Sequence, residues 1–108
     1  MTFQPGDLWL ANIPFTNASG SKKRPVLALW LDGQDVVVAA VTSASPRSTT
    51  DVSLIDWQSS GLRVPSTVRL SRLDCLEQSL LLAKLGHLSS GDAKHIQQIW
   101  ASAIRLEF

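Results

Sequence analysis

Two short stretches hold the side chains whose types could do chemistry together. Gly20-Ser21-Lys22-Lys23-Arg24-Pro25 is a flexible basic run delivered at the mouth of an apolar stretch, and Thr42-Ser43 opens a polar loop that carries Arg47. A guanidinium beside a hydroxyl is a phosphate grip, because the planar fork donates two parallel hydrogen bonds and the hydroxyl adds a third. Whether Arg24 and Thr42 meet depends on the turn between them, where Asp32-Gly33 is a strong hairpin signal. A three-residue turn pairs Leu31 with Asp35 and puts Arg24 opposite Thr42 on one face. A two-residue turn pairs Arg24 with Val41 and sends Arg24 and Thr42 to opposite faces, unless a bulge restores the contact. Taken alone, an exposed arginine at a strand end is the simpler reading.

Other catalytic arrangements are missing from the chain. It has no HExxH, CxxC, GxSxG, Walker or EF-hand pattern. His87 and His95 stand eight apart with no ligand trio beside either, so both read as surface or packing residues. Asp32 and Asp35 belong to the hairpin tip, where turn geometry explains them. Cys75, the single cysteine, lies in an apolar strand and reads as core; it can form neither an internal disulfide nor a metal knuckle. The expectation is no metal, no cofactor and no hydrolytic triad.

The elements that must position these residues belong to one small domain. The chain has 108 residues, 44% hydrophobic, with only 18% charged and a net charge of +1. A disordered tail, an acidic scaffold and a histone-like polycation are thereby excluded. Apolar runs such as residues 36–41 and 80–83 fall far short of the roughly 18 needed to span a membrane. Only Asp7 is charged in the first 21 residues, so no signal peptide is expected, and cysteine usage suits the reducing cytoplasm. Residues 22–72 hold seven bases against four acids, a mild basic excess that suits a phosphate-bearing partner.

The first four-fifths alternates short apolar runs with turn residues, the rhythm of an all-β barrel. Strands are predicted over residues 8–13, 26–31, 36–42, 51–55 and 66–76, with Pro25 as a tolerated first strand residue. Residues 80–88 return, as the antiparallel neighbour of 66–76. The period then changes. Ala93, Ile96, Ile99, Trp100 and Ala103 share one helical face, which predicts a helix over 90–103 capped by Ser89 with Asp92 in its first turn. That helix is expected to pack on the barrel and close one open end.

At these residues the chain resembles the MazF/PemK toxins, endoribonucleases of bacterial type II toxin–antitoxin pairs. Gly6-Asp7-Leu8-Trp9-Leu10 with Pro14-Phe15-Thr16 is similar to the family's first strand and its exit. Residues 20–27 resemble its basic loop and following strand, and Val38-Ala39-Ala40-Val41-Thr42-Ser43 the next strand with its terminal threonine. Residues 65–73 and Lys84-Leu85-Gly86-His87-Leu88 look like the PemK branch. The pieces run in the family's order over nearly the whole chain.

The resemblance implies a mainly β fold with a C-terminal helix, an SH3-like CcdB/PemK-type barrel over residues 1–108, usually a homodimer. It implies metal-independent, sequence-selective cleavage of single-stranded RNA to 2′,3′-cyclic phosphate and 5′-hydroxyl ends. The family's catalytic arginine and threonine fall on Arg24 and Thr42. Lys22, Lys23, Ser43 and Arg47 are candidates for the RNA, followed by Arg69 and Arg72; Trp9, Trp30 and Trp57 are base-stacking candidates that read first as core, Trp57 least so because its flanks are polar. A cognate antitoxin with an acidic disordered segment is implied as a partner. Better-known MazF proteins carry an acidic residue five positions before the arginine; here Ser19 stands there, so no carboxylate base is implied. The alternatives are a non-catalytic module of the toxin fold that binds a protein, as CcdB toxins bind gyrase, and a degenerate toxin that binds RNA or antitoxin without cutting.

Overall fold

The strands follow the apolar runs closely. In a computed structural model that describes residues 2–14 and 21–108, β1 (Asp7–Pro14), β2 (Ser21–Asp32), β3 (Asp35–Thr42), β4 (Asp51–Ser53), β5 (Thr67–Glu77) and β6 (Leu81–His87) precede α1 (Ser90–Ala103). They form one antiparallel sheet in the order β4-β5-β3-β2-β1-β6. The sheet is not closed: β4 and β6 are its two edges among the described residues.

Alternation along the strands feeds two apolar clusters. Leu8, Leu27, Ala39, Val41, Val68 and Leu70 contribute to one, against which Ile99 and Trp100 of α1 also pack. Phe3, Trp9, Val26, Val36, Val38 and Leu81 contribute to the other. In α1, Ser89 is the N-cap, and its side chain accepts the Asp92 N–H at 3.2 Å.

Several expectations are corrected. β6 pairs with β1 rather than β5, because β5 already has β3 on one side and β4 on the other; a single 3-10 turn at Gln78–Leu80 sends the chain across to the free edge. Pro25 lies inside β2, paired with Leu10, and is accommodated because the ladder to β3 stops at Val26, so no donor is required beyond it. The basic run from Ser21 to Arg24 is strand rather than loop, paired with Ala11–Pro14; Ser19 lies outside the described residues. β4 ends at Ser53, since the N–H groups of Ile55 and Asp56 are taken by the Asp92 carboxylate. Cys75 is exposed, not core. Partial desolvation and then the carboxylates of Asp35, Asp32 and Asp74 push its thiol up, which keeps it protonated and unreactive at neutral pH.

Candidate functional site

Register at the central hairpin brings the two chemical stretches together. The turn has two residues: Asp32 pairs with Asp35, Leu31 with Val36 and Trp30 with Val37, with Gly33 in the left-handed region at φ 62°. That register alone would set Arg24 opposite Ser43 and turn it to the other face from Thr42. Between Ala28 and Trp30 the ladder shifts by one, so Ala28 pairs with Val38 and Val26 with Ala40. Carried two residues past Val26, the shifted register sets Arg24 opposite Thr42. A bulge at Leu29 therefore decides the site.

At this end of the sheet lies a cavity of about 500 Å³, within the roughly 300–1,000 Å³ typical of ligand pockets. Lys22, Lys23 and Arg24 line one side and Thr42 and Ser43 follow from β3. Leu10, Pro25, Val41 and Leu85 supply an apolar floor. The segment 61–66 also lines it, with Leu62, Arg63, Val64 and Ser66. No carboxylate and no imidazole lines the cavity among the described residues, and residues 15–20 contain neither in sequence. The site is a cationic rim over an apolar floor, a surface complementary to an anion with an apolar body.

Thr42 is already oriented. Its Oγ1 accepts the Ala44 N–H at 3.2 Å, a local turn that occupies an oxygen lone pair and leaves the hydroxyl proton to donate elsewhere. Lys22, Lys23 and Arg24 are exposed and, among the described residues, make no ion pair.

The remaining basic candidates sit elsewhere. Arg47 is exposed on the loop after β3, outside the cavity lining, and its backbone N–H donates to Asp51. Arg69 is engaged by Asp51, Nε to Oδ1 3.6 Å, with both side chains largely buried. Arg72 is exposed on β5 and does not reach the cavity. Of the tryptophans, Trp9 is buried against Phe3 and Trp57 is half-buried against the first cluster. Trp30 is the exposed one and meets Trp100 edge-on, ring centroids 6.0 Å apart, away from the cavity.

Two contributors went unread in the sequence. Arg63 lines the cavity, but nothing near it in the chain distinguishes it from any solvated arginine. Asp92 reads as a helix N-terminal carboxylate; in the fold its two oxygens accept the Ile55 and Asp56 N–H groups at 3.0 and 2.9 Å, which fastens α1 to the start of the cavity wall. Neither contact has a short-range signature.

A family model described as PemK-like, MazF-like toxin of type II toxin–antitoxin system matches residues 4–103. No curated protein matches the chain. Among solved structures, an endoribonuclease in complex with its cognate antitoxin from a mycobacterial species superposes with a TM-score of 0.79 at 18% identity, over 99% of this chain and 99% of that one. The Mycobacterium tuberculosis toxin MazF-mt6 gives 0.71 at 21% identity, over 93% and 99%. MazF from Deinococcus radiodurans gives 0.68 at 18%, over 94% and 94%. At such identities the superpositions establish a shared fold.

Proposed function

The chain belongs to the PemK-like, MazF-like toxin family of type II toxin–antitoxin systems, and from that premise we propose that it is an endoribonuclease that cuts single-stranded RNA in the cavity between β2, β3 and the 61–66 segment. The observation that carries this reading is the hairpin register: continued past Val26, its bulge at Leu29 puts Arg24 and Thr42 on one face, and both line a cavity of cations with no carboxylate among the described residues.

The chemistry follows from what these groups can do. Attack by the RNA's own 2′-hydroxyl on the adjacent phosphorus forms the 2′,3′-cyclic phosphate and expels the 5′-oxygen, which leaves as a 5′-hydroxyl after taking a proton. Because nucleophile and electrophile share one nucleotide, holding sugar and phosphate in line removes much of the entropic barrier. Negative charge grows on the phosphoryl oxygens, and a guanidinium fork at Arg24 with the Thr42 hydroxyl proton stabilises it. Lys22, Lys23 and Ser43 hold the flanking backbone, and Arg47 extends the contact beyond the cavity; Arg69 and Arg72 are placed to contribute least.

The chain supplies charge rather than a side-chain base. With a pKa above about 12, arginine does not accept the 2′-proton readily; that proton passes to solvent or to a phosphoryl oxygen. A divalent metal is also poorly served by a site whose lining residues are cations, hydroxyls and hydrocarbons. The same cationic rim suits an acidic antitoxin segment, which would block the cavity by occupying it. A homodimer working in the cytoplasm completes this reading, on the family's pattern; no helix among the described residues is long and apolar enough to cross a membrane.

The direct test is incubation with a long mixed-sequence RNA in EDTA, wild type beside Arg24→Ala. The expected result is discrete fragments with 5′-hydroxyl ends from the wild type and a loss of about 100- to 1,000-fold in rate for the variant, the size associated with removing one transition-state donor. Intact RNA from folded, antitoxin-free wild type across a broad panel of sequences would replace catalysis with a binding role.

A further inference from the structure

Arg63 lines the same cavity as Arg24, and the reading above leaves it without a task. We infer that Arg63 grips the RNA phosphate neighbouring the scissile one, so that the chain is held at two consecutive phosphates across the cavity. This assignment rests on the endoribonuclease reading and adds to it a substrate-binding residue.

The first ground is charge. Arg63 lines the same cavity as Lys22, Lys23 and Arg24. It forms no ion pair among the described residues, and residues 15–20 bring no acid by sequence. Arg69, only six positions on, is matched by Asp51; Arg63 is not. Concentrating cations of one sign around a cavity costs repulsion that an anion offsets. A single phosphate at Arg24 leaves Arg63 unneutralised.

The second ground is how firmly the backbone around Arg63 is held. The segment starts where Asp92 takes the Ile55 and Asp56 N–H groups. It then turns through bonds from Ser60 N–H to Asp56 O, Gly61 N–H to Gln58 O and Leu62 N–H to Trp57 O. Gly61 crosses β6 so closely at Leu85 and Gly86 that a Cβ on either glycine would overlap the other strand's backbone, and Gly61 has φ 94°. Leu62 is buried in the core. On the far side the Ser66 hydroxyl donates to Val64 O at 2.8 Å and the Ser66 carbonyl accepts Leu54 N–H at 2.9 Å. An exposed arginine on so fixed a backbone presents its fork in a restricted volume, which lowers the ordering cost of binding.

The test uses the full chain and two probes. Cleavage is followed on the mixed-sequence RNA, and binding on a random-sequence 2′-deoxy oligonucleotide that lacks the attacking hydroxyl. Arg63→Ala is expected to raise KM about tenfold or more while kcat changes by only a few-fold. For the oligonucleotide, the slope of log affinity against log salt should shrink by about 0.7, the value for one phosphate contact on a single strand. Arg63→Lys should recover most of the salt slope but not all of the affinity, since a point charge replaces a fork. Both variants should melt at the wild-type midpoint, which confirms that folding is untouched.

Wild-type KM and salt slope in Arg63→Ala, from an enzyme that still cuts RNA, would overturn the assignment and leave the endoribonuclease reading intact. A collapse of kcat at unchanged KM would also overturn it, by placing Arg63 on the scissile phosphate. If the wild type cuts nothing yet Arg63→Ala still flattens the salt slope, the phosphate contact stands and catalysis falls.

Discussion

The two ends of β1 treat charge in opposite ways. At its start Asp7 is fully buried, and its carboxylate accepts the Gln4 N–H at 2.9 Å and the His87 Nδ1 at 2.8 Å, with Lys84 Nζ at 3.4 Å. Four residues on, roughly 13 Å at the usual strand rise, Ala11 pairs with Arg24 in a run of three exposed cations that no acid answers among the described residues. The same sheet therefore carries a closed electrostatic account at one end and an open one at the other. A buried charge is tolerated only when partners are built around it, so Asp7 is explained by the fold. Exposed, unanswered cations around a cavity are not, and the proposed RNA contact would account for them.

The sharpest way to test that contrast is to delete each end. Asp7→Ala leaves the Gln4 N–H and the His87 ring without their acceptor and should cost about 3 kcal/mol, seen as a melting point lower by roughly 10–20 °C. A loss below about 1 kcal/mol would mean that the cluster is incidental.

The pH dependence should separate the ends next. Burial alone would raise the Asp7 pKa, but the bonds from His87 and Gln4 and the charge of Lys84 outweigh it and hold the carboxyl below its usual range. The unfolded chain then binds more protons as the medium becomes acidic. The contribution of Asp7 is complete above the unfolded value, about 3.9, and is lost as pH falls through the lower folded value. Thermal melts should steepen in that acid window for the wild type and flatten there for Asp7→Asn; parallel curves would remove Asp7 from the acid response.

The smallest effect is expected where the charges are open. Arg24→Ala should leave stability within about 0.5 kcal/mol of wild type, by the same melt, although cleavage collapses. A destabilisation like that of Asp7→Ala would make Arg24 a structural residue and dissolve the contrast.

Much of this was legible one residue at a time. Apolar runs bounded by turn residues located β1 and β3, alternation located β5, and the spacing of Ala93, Ile96, Ile99 and Trp100 gave α1 with Ser89 as its cap, because strand and helix patterns are local properties. Residue types alone nominated Lys22, Lys23, Arg24 and Thr42. Placement was less legible. His87 reads as a lone surface histidine until β6 crosses to β1 and lays it against Asp7, and Arg69 reads like Arg72 until β4 brings Asp51 beside it.

The sequence by itself determined the apolar cores of the strands, where the helix begins and which side chains could hold a phosphate. Tertiary structure decided which of them share a site. The two-residue turn at Gly33-Gln34 would have turned Arg24 away from Thr42, and the bulge at Leu29 reversed that outcome. Arg63 joined them only because Asp92 on α1 and Gly86 on β6 fix the segment that carries it. Period and propensity are written within a few residues, whereas register shifts and crossings depend on contacts between segments far apart in the chain.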